Sequence, residues 1–126
     1  MRRDMDLLRS LLLRLEGESK VDSILRYRAG ELVIEGYTED EVRYHYRLAV
    51  QAGLVDQGGA GPLNGIQFRQ LTWSGHDFVD AVRDNEIWSK TRQGASAAGG
   101  ISIDLLKDLA KGFIRKKIAE HTGVEI

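Results

Sequence analysis

The chain contains no cysteine and a single proline, Pro62. Without cysteine, disulfides and thiolate metal sites are excluded. With one proline, long helices are permitted everywhere outside the region near residue 62. No long hydrophobic run exists either. The longest apolar run near the N-terminus, residues 11–13, is far too short for a signal peptide or a membrane span, and Asp4 and Asp6 precede it. A soluble, cytoplasmic protein with no membrane partner is the expectation. Charge of one sign is also missing: 18 Lys and Arg face 19 Asp and Glu, for a net charge of -1. A free-standing nucleic-acid binder usually shows a basic surplus, so that class gains no support from the total. The remaining composition, 126 residues of which 42% are hydrophobic, suits one globular domain with a modest core.

The stretch that organises the chain is YTEDEVRYHYRLAVQAGLV, residues 37–55. Thr38 with Glu41 three residues later makes a capping box, and Val42, Tyr46, Ala49 and Gly53 recur at helical spacing. Gly53 supplies the left-handed stop, so a helix is predicted over 38–53. Upstream, Asp4 caps a helix over 4–16 that ends at Gly17. Leu8, Leu11, Leu12 and Leu15 line one face of it, and Leu7 and Leu13 widen that face. So wide an apolar sector implies packing on two sides or a dimer interface. Residues 20–36 leave two readings open. Ile24, Leu25 and Tyr27 suit a short helix, or SILRYR and ELVIEG are two strands turned at Ala29-Gly30. The β-branched residues of the second run favour a strand at 31–35.

The decapeptide DQGGAGPLNG, residues 56–65, has four glycines and reads as a flexible loop between strands LVD and IQFRQLT. On the returning strand Ile66 and Phe68, with Gln70, share one face, and Gln67 and Arg69 the other. Thr72 then caps a helix from Trp73 that turns Phe78, Val79 and Val82 inward and Asp77, Asp80, Asp84 and Glu86 outward. It bends at Asp84-Asn85 and ends near Arg92. GASAAGG, 94–100, reads as a linker of small residues. A last amphipathic helix over 102–121 has Ser102 as cap and Gly123 as stop. Leu105, Leu106, Leu109, Phe113, Ile114 and Ile118 form its apolar side.

Three blocks carry a resemblance: the opening MRRDMDLL, the EVRYHYRLAVQAGLV helix, and LTWSGHDFVDAVRDNEIWSK. They resemble a family of small bacterial and phage proteins known only as a domain of unknown function. The resemblance implies a winged-helix-like fold and a phage or mobile-element setting, and it brings no catalytic residue. The order helix, Gly-rich excursion, strand and LTWSG is also similar to that of winged-helix regulators, whose corresponding helix enters the major groove. The fold class expected is α+β: a winged-helix-like domain over 1–93, the linker at 94–100, and a C-terminal helix over 101–126. That helix packs on the domain or on a partner subunit, and a homodimer is expected.

The candidate interaction or DNA-contact face is Glu39, Asp40, Arg43, Tyr44, Arg47, Gln51 and Arg69. Arg43 and Arg47 lie one turn apart, but Glu39, Asp40 and Glu41 crowd the same helix start and oppose phosphate. The tip GGAGPLNG carries no Lys or Arg. Lys107, Lys111, Arg115 and Lys117 form a basic strip on the last helix, either a solvated face or a site for an acidic surface. The histidines are His45, His76 and His121. His76 with Asp77 and Asp80 outlines a metal or general-base pair, but no second cluster supplies the remaining ligands. The structural reading makes His76 and His45 partly buried rings bonded to backbone. The glycine loop lacks a G-K-S/T ending, so it is no P-loop. Trp73 is expected to roof the core, and Trp88 to pack against the last helix. Tyr37 and Tyr44 either face solvent or pack half-buried. A protein-binding module that needs no cofactor is the first reading. A dimeric winged-helix regulator on double-stranded DNA is the second, and a small metal-dependent hydrolase the third.

Overall fold

The computed structural model describes residues 1–97 and 102–123. They divide into two units, Met1–Asp77 and Phe78 onward. The class is α+β: five helices and two antiparallel strand pairs among the described residues. None of these helices is long and apolar enough to cross a membrane.

In the first unit, helix α1 spans Met5–Glu18. Asp4 caps it by accepting the Leu7 N–H at 3.1 Å. Leu7, Leu8, Leu11, Leu12 and Leu15 are all buried and Leu13 is half-buried, so most of the wide apolar sector is covered within the chain. Each such leucine contributes about 2 kcal/mol relative to exposure. The helix does not stop at Gly17; it runs on to Glu18, and the Ser19 N–H bonds the Leu15 carbonyl at 3.1 Å.

Strand β1, Leu25–Tyr27, resolves the open reading of residues 20–36 in favour of a strand. Its partner is not residues 31–35, which form no strand. Two turns take their place, closed by Glu31 N–H to Arg28 O and Tyr37 N–H to Ile34 O. Gly30 and Gly36 both sit at positive φ, which bends the chain out of the extended region at each end. Only Leu32 of that run is buried, so the apolar alternation there has no sheet face to fill.

Helix α2, Glu39–Gln51, starts with the expected capping box. It ends in a Schellman motif: Leu54 N–H bonds Ala49 O at 3.0 Å and Gly53 N–H bonds Val50 O at 3.1 Å. Gly53 at φ +74 makes that reversal. Strand β2, Val55–Asp56, pairs antiparallel with β4, Gln70–Leu71, and β3, Ile66–Phe68, pairs with β1. The predicted hairpin is therefore split. Its root pairs β2 with β4, while its outer part turns to β1. The interruption is at Arg69, where the period slips: Ile66, Phe68 and Leu71 are buried and Gln70 is exposed, contrary to its expected place on the inner face.

Helix α3, Trp73–Val82, begins in the first unit and ends in the second. Thr72 caps it by accepting the Gly75 N–H at 3.0 Å. In the second unit Phe78, Val79 and Val82 are buried as expected. The bend expected at Asp84-Asn85 is a full break. Asp84 caps a separate helix α4, Asn85–Ala97, by accepting the Ile87 N–H at 2.9 Å. Helix α4 runs through residues 94–97, so the first part of the expected linker is helical; residues 98–101 lie outside the described residues. Helix α5, Ile103–Thr122, carries the predicted Ser102 cap and Gly123 stop and packs on α4. Trp88 on α4 is buried.

Two glycines test this packing in opposite directions. A Cβ on Gly75 would lie 2.1 Å from the Leu54 carbonyl oxygen, whereas one on Gly17 meets nothing within 4 Å. Gly75→Ala is expected to destabilise the protein by about 3 kcal/mol or more. Gly17→Ala, inside a helix, is expected to stabilise it by about 0.5–1 kcal/mol. Urea melts of both variants check the pair, and equal midpoints would contradict the close approach.

Candidate functional site

The outer face of α2 is held by what lies behind it. His45, 2% exposed, sits between the helix and the start of α1. The Asp4 backbone N–H donates to its Nε2 at 2.7 Å, so the ring carries its hydrogen on Nδ1, which faces the Glu41 carbonyl at 2.8 Å. Both nitrogens are used, and neither is left for a metal or a substrate proton. Asp4 also bonds Tyr37 through its side chain. Burial, and then that bond, push the Tyr37 hydroxyl up to about 12. Further along α2, the buried Tyr46 hydroxyl donates to the Gln67 carbonyl of β3. Burial is the main cause that pushes its pKa upward too. Capping, latch and tyrosine bond fix α2 in rotation, and so decide which residues face out.

On that outer face the charges pair among themselves. Arg43 Nη2 lies 2.7 Å from Asp40 Oδ1, and Nε lies 3.7 Å from Glu39 Oε1. These are contacts one helical turn apart, with the arginine folded back along its own helix. Arg47 donates from Nη2 to the Leu63 carbonyl at 3.0 Å, holding the tip of the loop 57–65. Gln51, on the next turn, lines a depression of about 330 Å³ with Arg47, Val50, Gln57, Pro62 and Leu63. Tyr44 is partly exposed, its ring edge-on to His45 with centroids 5.7 Å apart. Arg69 does not join the helix; its nearest carboxylate is Asp56 of β2, at 3.8 Å. The structure thus joins Glu39, Asp40 and Arg43 in one set, and Arg47 and Gln51 with the loop in another.

The basic strip of α5 is less uniform than its spacing suggests. Lys111 and Arg115 are exposed and Lys107 is half-buried. Lys117 is taken up by Asp84, at 3.3 Å. The Asp84 carboxyl is held below its ordinary range, first by the Ile87 N–H it accepts at the helix start and then by Lys117.

His76, expected to be a partly buried ring bonded to backbone, is half-exposed instead, with Nδ1 3.8 Å from Glu16 Oε2. It projects from the polar side of α3 at the turn where the helix meets solvent. Asp80 pairs with Arg83 at 2.8 Å. Among the described residues, no group of three or more His, Asp or Glu is placed to hold a metal ion. Trp73, expected to roof the core, is 85% exposed. Helical spacing cannot reveal this, because Trp73 is the first residue of its helix and the capping bonds of Thr72 turn it outward.

A buried histidine latch, a capped helix with an internally paired outer face, and short strand pairs around a glycine loop define a small α+β protein of helix-and-strand type. The chain belongs to the family of hypothetical proteins DUF2513, whose model matches residues 2–102. The match takes in α1 to α4 and ends at the cap of α5. An uncharacterized protein of Haemophilus influenzae (strain ATCC 51907 / DSM 11121 / KW20 / Rd) is 31% identical over 125 residues, covering 94% of this chain and 100% of that protein. No solved structure matches the chain.

Replacing His45 by Ala leaves the Asp4 N–H without its acceptor and opens a gap between α1 and α2. The expected cost is about 2–4 kcal/mol. His76→Ala, at an exposed position, is expected to stay within about 0.5 kcal/mol of the parent. Chemical denaturation of the two variants side by side distinguishes a latch from a spectator.

Proposed function

We propose that this protein is a non-enzymatic protein-binding module built on a winged-helix-like unit. The order α1, β1, α2, β2, loop and returning strand supports that likeness, as does the pairing of β1 with β3. The observation that carries the protein target is the commitment of the α2 arginines. Arg43 lies against Glu39 and Asp40, and Arg47 against a loop carbonyl. A helix that reads DNA needs those cations for phosphate and base edges, and releasing Arg43 to phosphate would leave the Glu39 and Asp40 carboxylates facing the backbone of the duplex. The phage and mobile-element setting implied by the family resemblance would make a host regulatory or defence complex the natural target.

A labelled random-sequence duplex titrated with the full chain tests this reading. Binding weaker than micromolar at moderate salt is expected, with R43A/R47A no different from the parent. Sub-micromolar binding that falls steeply as salt rises would replace the protein target by DNA.

Self-association belongs to the same reading, with α5 as its site. There Leu105, Leu109, Phe113 and Ile114 are half-buried and Ile118 is 38% exposed. Light scattering at high concentration is expected to return twice the chain mass of 14.1 kDa; the single-chain mass would remove α5 as a dimer contact.

A further inference from the structure

Trp73 is the largest side chain that the fold leaves outside. At 85% exposure it gains almost nothing from the core, although tryptophan carries more apolar area than any other residue. The backbone around it is nevertheless held by several hydrogen bonds. Thr72 N–H donates to the Leu54 carbonyl at 3.0 Å, and the Thr72 hydroxyl donates to the Gly53 carbonyl at 2.5 Å. The same hydroxyl accepts the Gly75 N–H, and His76 N–H closes on the Thr72 carbonyl at 3.0 Å. Gly75 lets the start of α3 press on the link between α2 and β2, where any Cβ would collide with Leu54 O. The indole is therefore presented by a rigid support and not by a loose loop. Rigid presentation of an exposed aromatic lowers the ordering cost of binding, which is the property of an interface anchor.

The charge beside it selects the partner. Asp77 lies one turn along α3 on the same side as Trp73, and it is exposed. Asp40 pairs with Arg43 of its own helix and Asp80 with Arg83 just past the end of α3, whereas the Asp77 side chain has no hydrogen bond or ion pair with the described residues. A carboxylate next to an indole face repels phosphate and attracts a cation, and the negative face of the ring does the same. We infer that Trp73 anchors a protein-docking surface whose partner lays an arginine or lysine over the indole, with its charge directed to Asp77. This rests on the protein-binding reading above and gives the partner its chemistry: a basic segment.

A displayed library of random linear peptides, panned against the full chain at moderate salt, tests it. The expected outcome is enrichment of peptides with an Arg or Lys at a recurring position. Those peptides should change the emission of Trp73, which is separable from Trp88 because the latter is buried. W73A should lower their affinity at least about tenfold, D77N should lower it less, and W73F should retain part of it. Because Trp73 lies outside the core, W73A should melt with the parent; if it does not, W73F and D77N carry the comparison. Enriched peptides that bind W73A as well as the parent would move the docking surface elsewhere and leave the protein-binding reading standing. Enrichment without cations, or no enrichment, would overturn the inference. Only tight, salt-sensitive duplex binding would remove the wider reading with it.

Discussion

A buried imidazole must find partners for both nitrogens, and His45 does so with two backbone groups from different helices. The Asp4 N–H reaches its Nε2 and the Glu41 carbonyl meets its Nδ1, and both contacts are short. The Asp4 N–H belongs to the helix start, where no intrahelical acceptor exists, so the bond satisfies a donor that α1 cannot use internally. The same residue caps α1 and bonds Tyr37 just ahead of α2. The leucine face of α1 is non-directional and tolerates more than one rotation; the histidine allows one. Helix α2 is therefore set against α1 by a polar contact of defined geometry, and everything displayed on its outer side follows from that setting.

The displayed side is electrostatically quiet. Exposed ion pairs such as Arg43 with Asp40 contribute little stability, at most about 1 kcal/mol. Their effect is on what the helix can attract. Each arginine already has an acceptor within the chain, so an incoming phosphate must compete with a carboxylate or a carbonyl held at contact distance. Trp73 contrasts with this surface: apolar, fixed in place, and accompanied by a carboxylate that pairs with no cation among the described residues. A near-zero net charge conceals this division between a self-paired helix face and an unpaired anionic spot.

Much of the fold was legible in the residue order. The caps at Asp4, Thr38, Thr72 and Ser102 and the glycine stops at Gly53 and Gly123 all hold. The blocks that suggested an uncharacterised family belong to one. Strand partnership was not legible. Residues 31–35 alternate like a strand yet form turns, because Gly30 and Gly36 bend the chain out of the extended region at each end, and β1 pairs with β3 instead. Arg69 interrupts the returning strand and displaces Gln70 from the inner face. Asp84 stands where the residue order suggests only a bend, yet it is a helix cap, since the acceptor role of its side chain depends on where the next helix starts.

Helix ends are decided by groups three or four residues apart, so the order of side chains was enough to place the starts of α1, α2, α3 and α5 and the stops of α2 and α5. The rest joins groups far apart in the chain: Asp4 with His45, Arg47 with Leu63, Tyr46 with Gln67. No local preference encodes such a meeting, because it depends on how the helices and strands close over the leucines of α1. Whether Arg47 was free or committed, and whether Trp73 faced in or out, was settled only by that closure.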